Sequence, residues 1–293
     1  MDRAERPRFD LQSHSTRSDG LLAPADVVDK AAADGVELLA LTDHDTVAGV
    51  GEALAAAELH GIALSPAAEL SAVYGGHEDL HVVGYELDHE DANLLAALED
   101  FRGDRARRIA AMADRLRELG FELDDERLAR DAVGRPHLAD AVLAHPANAI
   151  RLRAEGIDGR DALFPAYLVP GAPAYVPRSR PTVAEAIAVI HAAGGVAVWA
   201  HPFWDIEAPE EALAALAAFA AEGLDGVEAF YPSHGPEQAR LLYDAARGRG
   251  LLATGSSDFH GREPFEGFRG FETYGMEPML GPISARARRP SRR

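Results

Sequence analysis

The feature that most narrows the fold of this chain is a repeated switch of hydrophobic period. Short apolar runs suited to buried strands alternate with longer segments patterned as amphipathic helices. The strand candidates are residues 37–41, 62–64, 80–83, 196–200, 226–230 and 251–254, and the helix candidates between them are 25–34, 49–59, 183–193, 210–222 and 236–247. Strand and helix in strict alternation predict a parallel sheet or barrel. With 293 residues, 47% of them hydrophobic, the chain can bury a core of that size. There is no internal repeat. The alternation lapses between about 91 and 177, where helical and loop segments dominate. The expected division is therefore a barrel in two parts, 1–90 and 178–283, interrupted by a mainly helical subdomain at 91–177. The basic, low-complexity tail 284–293 is expected to be disordered.

Composition removes several classes of function. A formal net charge of −19 opposes a protein that coats long nucleic acid, which needs a broad basic surface, although a short nucleic acid can still be held in a local pocket. The chain has no cysteine, so disulfides, thiolate catalysis and cysteine-held zinc are excluded and any metal must rest on His, Asp and Glu. No apolar run reaches the ~18 residues of a membrane span and the first residues are no signal peptide, so a cytoplasmic protein without membrane contact is expected.

Chemistry concentrates at the ends of the apolar runs, where a barrel presents its active residues. Asp10-Leu11-Gln12-Ser13-His14 and Ser18-Asp19-Gly20 open the chain, and Thr42-Asp43-His44-Asp45-Thr46 follows the run 37–41. Glu69 follows 62–64, His81 begins the run 81–85, His201-Pro202 follows 196–200, and Ser256-Ser257-Asp258-Phe259-His260-Gly261 follows 251–254. Residues 225–234 add a further polar strand end, with His234 a candidate to face substrate. Singly, each is an ordinary hydrogen-bonded residue at a strand end. Jointly, nitrogen and oxygen ligands from so many strand ends favour manganese, zinc or iron.

The inserted segment offers cations. Its first helix, about 93–119, carries Phe101, Arg105, Arg108, Ile109, Met112, Leu116 and Leu119 on one face. Arginines on an apolar face need anions, supplied either by a substrate phosphate or internally by a carboxylate such as Asp104 or Glu118. Gly134-Arg135-Pro136-His137 adds a guanidinium and an imidazole, and a proline-rich stretch at 164–177 is expected to return the chain to the main domain.

The order Asp-Leu-x-x-His, Ser-Asp-Gly, Thr-Asp-His-Asp-Thr, Glu-Leu-Ser, His-x-x-Gly-Tyr, Ala-His-Pro and Ser-Ser-Asp-x-His-Gly resembles the PHP (polymerase and histidinol phosphatase) domain over most of 9–90 and 180–262. The resemblance implies a distorted (β/α)7 barrel with two or three divalent ions, manganese foremost, at the strand ends. By matching position, one ion would take His14, Glu69 and Asp258, with Gln12 where the family usually has the first histidine of a His-x-His pair. A second would take Glu69, His81 and His201, and a third Asp19, His44 and His260. Asp43 and Asp45 would orient His44 or accept protons. Gln12 brings a neutral amide oxygen in place of an imidazole, so the first ion should be held less firmly.

A metal pair ~3.5–4 Å apart lowers the pKa of a bridging water and clamps the oxygens of an in-line displacement, which suits hydrolysis of a phosphate ester. The placement of the insertion is similar to a subgroup containing 3',5'-nucleoside bisphosphate phosphatases and the 5'-to-3' exonucleases called ribonuclease AM. That resemblance implies a small nucleotide or short oligonucleotide as substrate, with Arg135 and His137 on its phosphate and Arg105 and Arg108 behind them on the helical argument alone. It gives Asp43, His44, Glu69 and Asp258 the catalytic roles. No obligate protein partner is expected. The alternatives are a histidinol phosphatase, an amidohydrolase-like C–N hydrolase, and a metal-binding regulatory module in which Gln12 has weakened catalysis.

Overall fold

The computed structural model describes residues 7–128, 134–178, 180–262 and 265–283; the basic tail 284–293 lies outside the described residues. In chain order its elements are β1 (Phe9–Asp10), α1 (Pro24–Ala33), β2 (Leu38–Leu41), α2 (Val50–His60), β3 (Ala63–Tyr74), β4 (His77–Tyr85), α3 (Ala92–Glu118), α4 (Arg135–Ala144), α5 (Ala149–Ala154), α6 (Arg160–Leu163), α7 (Val183–Ala192), β5 (Val196–Trp199), α8 (Pro202–Asp205), α9 (Pro209–Ala221), β6 (Gly226–Phe230), α10 (Pro236–Arg249) and β7 (Leu252–Gly255). They form two compact units, Met1–Glu99 with Pro181–Arg293, and Asp100–Arg180, the division falling inside α3. None of the described helices is long and apolar enough to cross a membrane.

The first unit is a seven-stranded sheet in the order β1-β2-β3-β4-β5-β6-β7. It bends round until the chain after β1 meets the chain after β7: the Leu11 amide donates to Gly255 O at 3.4 Å, His14 N to Phe259 O at 2.7 Å and Phe259 N to Gln12 O at 3.2 Å. The result is a nearly closed barrel. Leu11, Ala40, Ala67, Val83, Tyr85 and Val198 form one of its buried apolar clusters, and Val27, Val28 and Ala31 of α1 pack with Ala53, Ala56 and Ala57 of α2 in another. α7 starts where side chains satisfy its free amides. α7 has Thr182 and Glu185 in a reciprocal capping box, with Glu185 N donating to Thr182 Oγ1 and Thr182 N to Glu185 Oε2.

The sheet departs from the parallel arrangement at its centre. β3 runs antiparallel to β4, and β4 antiparallel to β5, while the other pairs are parallel. β3 also continues ten residues past the expected strand 62–64, through Pro66 and on to Tyr74. Proline ordinarily ends a ladder because it has no N–H to give. Pro66, however, sits opposite Leu41, the last residue of β2, so few bonds are lost there. Gly84 shows why the His-x-x-Gly-Tyr pattern carries glycine, since a Cβ there would lie 2.7 Å from Ile190 Cγ1 of α7.

The second unit has its own core, in which Ile109, Met112 and Leu116 of α3 pack with Leu138 and Val142 of α4 and with Leu163 and Leu168. Arg108, buried in that unit, donates through Nε to Val176 O at 2.8 Å and lies over the Tyr175 ring at 5.6 Å. A carbonyl and an aromatic face thus help to satisfy a guanidinium for which an anion was expected. Arg105 is half-buried. Arg135 reaches Leu168 O at 3.4 Å and the Phe164 ring, and His137 Nδ1 accepts the Gly134 amide at the start of α4.

Candidate metal centre

The centre is built from the first unit, and Glu69 is its hub. This carboxylate is completely buried in mid-β3, and each of its oxygens faces imidazoles. Oε1 lies 2.9 Å from His81 Nδ1 and 3.1 Å from His201 Nε2, and Oε2 lies 3.1 Å from His14 Nε2 and 3.4 Å from His44 Nδ1. Asp258 Oδ1 approaches His14 Nε2 at 3.2 Å, and Asp19 Oδ1 approaches His260 Nε2 at 3.3 Å. Three groupings therefore converge: His14, Glu69 and Asp258; His44, Glu69 and His81; and His14, Asp19, His44 and His260. His201 joins the second through its 3.2 Å approach to His81 Nδ1. His44 stands between two groupings, a position sequence order alone did not assign to it.

The donors fit metal ions rather than one another. His14 Nδ1 and Nε2, His44 Nδ1, His201 Nδ1, Glu69 Oε2 and Asp258 Oδ1 are buried without a hydrogen-bond partner among the described residues. Orphaned buried polar atoms in such number are costly unless something else satisfies them. The ring of His260 is oriented for ligation: its Nδ1 donates to the Asp258 carbonyl at 2.7 Å, which turns Nε2 toward Asp19 Oδ1.

Charge follows from burial and neighbours. Burial is the largest influence on His44 and holds its pKa down to about 3, so it is neutral at ordinary pH. For His201, burial opposes the charged ring, but the hydrogen bond and charge of Glu69 outweigh it and raise the pKa to about 9. His14 is likewise raised, by Asp258 and Glu69 against its burial. Glu69 and Asp19 lie well below the usual carboxylate range, because the surrounding imidazoles overcome the burial penalty.

Backbone strain marks the same residues. Asp45, His201 and Asp258 have φ of 53°, 29° and 53°, a region that β-carbon-bearing residues adopt at a cost. Asp45 accepts the Ser71 amide and gives its own amide to Glu69 O, which fixes β3 beside the hub. Gly20 ends the Ser-Asp-Gly pattern because the chain turns back there on His14, whose carbonyl oxygen would be 2.2 Å from any Cβ.

Several expected roles change. Asp43 does not line the cavity: its Oδ1 accepts from Ser15 N and Ser18 Oγ, and its Oδ2 from Ser15 Oγ, all at 2.7 Å. These bonds clamp the loop that carries Asp19. Gln12 turns its amide nitrogen to Glu69 Oε1 at 2.9 Å and its oxygen to Ser256 Oγ at 3.4 Å, so in this arrangement it braces the hub. His234 is buried behind Tyr231, with Nδ1 on Ala229 O, and burial lowers its pKa to about 4; it does not line the cavity.

The cavity measures about 260 Å³. Asp19, His44, Glu69, His81, His201, Asp258 and His260 line it together with Trp204, Tyr231, Arg262 and Phe265. Sequence reasoning missed these last four. Tyr231 donates to Asp258 Oδ2 at 2.9 Å, and Arg262 reaches Asp19 Oδ2 at 3.1 Å. Behind them Glu228, pushed up to about 7 by burial, accepts the His201 amide and the Ser256 hydroxyl. Tyr231 and Glu228 lie in the polar stretch 225–234 already noted, and Arg262 two residues beyond His260, so nearness to the ligands was the available signal.

The PHP domain family matches residues 10–122. The chain is 33% identical to a 3',5'-nucleoside bisphosphate phosphatase of Chromobacterium violaceum, over 97% of this chain and 99% of that protein. It is 34% identical to a 5'-3' exoribonuclease of Haemophilus influenzae, over 86% and 90%. A structure from Bifidobacterium adolescentis, described as a metal-dependent phosphoesterase, superposes with a TM-score of 0.73 at 30% identity, covering 97% of this chain and 96% of that one.

Proposed function

Because the chain belongs to the PHP domain family of metal-dependent phosphoesterases, we propose that it hydrolyses the phosphate esters of small nucleotides, nucleoside 3',5'-bisphosphates foremost, with manganese at its centre. The observation that carries this reading is Glu69, a buried carboxylate with both oxygens facing imidazoles at the floor of an open cavity. Two or three divalent ions held by His14, Asp19, His44, Glu69, His81, His201, Asp258 and His260 would supply a more acidic water and neutralise phosphoryl charge.

The side chains do the rest. His44 presents a neutral nitrogen through burial, and His260 is turned by its Nδ1 contact with the Asp258 carbonyl so that Nε2 faces Asp19. Tyr231 holds Asp258 by one oxygen and leaves the other toward His14. Arg262, half-exposed in the cavity wall and steadied by Asp19, is placed to neutralise a substrate phosphate. Trp204 and Phe265 present apolar surface that displaces water from the polar half of the cavity, which strengthens every charge interaction there. A cavity of about 260 Å³ lies just below the ~300–1,000 Å³ of drug-sized sites, which suits one phosphorylated nucleoside. The acidic surface favours the same short substrate, handled in the cytoplasm without a lasting complex with long nucleic acid.

The test is phosphate release from adenosine 3',5'-bisphosphate, 5'-phosphorylated RNA oligonucleotides and histidinol phosphate, with manganese and after chelation. Manganese-dependent turnover that is fastest on the bisphosphate is the expected result. Mononucleotides released from the 5' end as the faster reaction would move the assignment to exonuclease. Turnover of histidinol phosphate alone would overturn the nucleotide reading.

A further inference from the structure

Among the large apolar side chains that the described residues leave exposed, Trp204 is the one that lines the cavity. Its indole is 59% exposed, whereas Trp199, the chain's other tryptophan, is fully buried. The neighbouring Phe203 is also buried, packed 5.3 Å from the His234 ring. The short helix α8 therefore meets the demands of the core through Phe203 and leaves Trp204 without a structural task. An exposed indole at the rim of a catalytic cavity forgoes burial that it would gain against an apolar ligand.

The faces of this indole are not stacked by its aromatic neighbours. Phe265 lies at 6.1 Å with a 55° tilt, Tyr231 at 6.5 Å and 80°, and His201 at 6.5 Å and 70°. A stacked pair in the same protein, Phe259 with Phe268, sits at 4.2 Å and 16°. None of these neighbours lies parallel to the indole, which lines the cavity with its surface 59% exposed. Its position is tied to the reacting centre as well, because the Trp204 amide donates to the carbonyl of the ligand His201 at 2.8 Å.

We propose that Trp204 is the platform on which the base of a phosphorylated nucleoside stacks, while Arg262 and the carboxylate–imidazole cluster take its phosphate. The inference rests on the nucleotide reading above and extends it, since it names the side chain that separates nucleotides from other phosphate esters. Stacking tolerates any base, because each has a π-face, so Trp204 selects for a base without selecting which one.

The experiment compares Trp204→Ala and Trp204→Phe with the wild-type holoenzyme on adenosine 3',5'-bisphosphate and on its abasic analogue. Base–aromatic stacking of about 1–3 kcal/mol corresponds to about 5- to 150-fold. The ratio of kcat/KM, nucleotide over abasic, is expected to fall by that factor in Trp204→Ala, carried by KM, and to recover largely in Trp204→Phe. An equal ratio in wild type and Trp204→Ala would overturn the proposal. Adenosine 5'-monophosphate should also quench the wild-type tryptophan fluorescence, and ribose 5-phosphate should not. This arm decides the role of Trp204 even if neither bisphosphate is turned over, an outcome that would count against the nucleotide reading itself; equal quenching by both ligands, or by neither, overturns the platform.

Discussion

The sequence gives Asp43 a proton-handling role and the structure shows it clamping a loop, and its replacement separates the two accounts. Its buried carboxylate accepts three hydrogen bonds of 2.7 Å, from the Ser15 amide, the Ser15 hydroxyl and the Ser18 hydroxyl. Hydrogen bonds to a charged acceptor contribute about 1.5–3 kcal/mol each. Asp43→Ala removes all three at once. Allowing for water that enters the hole and repairs part of the loss, the cost is on the order of 4 kcal/mol. For a domain of this size, about 2–4 °C of melting temperature goes with each kcal/mol, so thermal unfolding should shift by roughly 10 °C. Asp43→Asn is gentler. The amide oxygen can still accept from Ser15 N and Ser18 Oγ, and the amide nitrogen can donate to Ser15 Oγ, so only the charge is lost, about 1–2 kcal/mol. Circular dichroism melts of chelated protein, with phosphate release measured at about 25 °C, provide the assay. Should Asp43→Ala melt with wild type while turnover falls by the ~10²–10⁴-fold of a missing proton acceptor, the clamp account is wrong and Asp43 handles the substrate proton.

Three further outcomes follow from the same geometry. Gln12→His replaces a neutral amide that braces Glu69 with an imidazole donor, so the variant should retain more manganese than wild type through dialysis against graded chelator; identical retention by elemental analysis would show that the substitution carries little weight. Metal affinity should rise with pH, because His201 carries a proton up to about pH 9 in the metal-free protein and must lose it to bind, while His44 stays neutral throughout. The sign for the metal-free fold is opposite: a pKa raised above the ordinary 6.5 adds stability that is complete below 6.5 and lost as pH rises through about 9. Titration with manganese at about pH 6, 7.5 and 9, in buffers of different ionisation enthalpy, should detect proton release, and a flat affinity with no release would contradict it. Gly84→Ala should destabilise by about 1–3 kcal/mol through its contact with Ile190, and Ile190→Val should relieve part of that loss; a neutral Gly84→Ala in urea unfolding would mean that α7 yields freely.

Local information was enough for most elements and for most of the clustered His, Asp and Glu residues. Period and turn residues placed the strand Gly226–Phe230 to the residue and α1, α2, α3, α7, α9 and α10 within a residue or two of their ends, because burial on one face imposes its period on the sequence. The residues His14, Asp19, His44, Glu69, His81, His201, Asp258 and His260 were each legible at the end or the start of an apolar run, and all of them converge. What sequence could not supply is which of two chemically equal groups meets which neighbour. Asp43 and Asp258 are both carboxylates after strands, yet one turns to the serines of a loop and the other to His14. The passage of β3 through Pro66 depends on where β2 stops, which is a property of the sheet, whereas the antiparallel direction of β4 follows from the two residues, Gly75 and Gly76, that join it to β3. Trp204 and Arg262 belong to the cavity because distant segments meet there, and His234 lies behind Tyr231 for the same reason. The sequence by itself determined the kind of fold and the identity of the His, Asp and Glu side chains that converge, since period and residue chemistry are local. Only the tertiary structure decided the pairing of donors with acceptors and the lining of the cavity, since those depend on side-chain direction and on contacts between residues far apart in the chain.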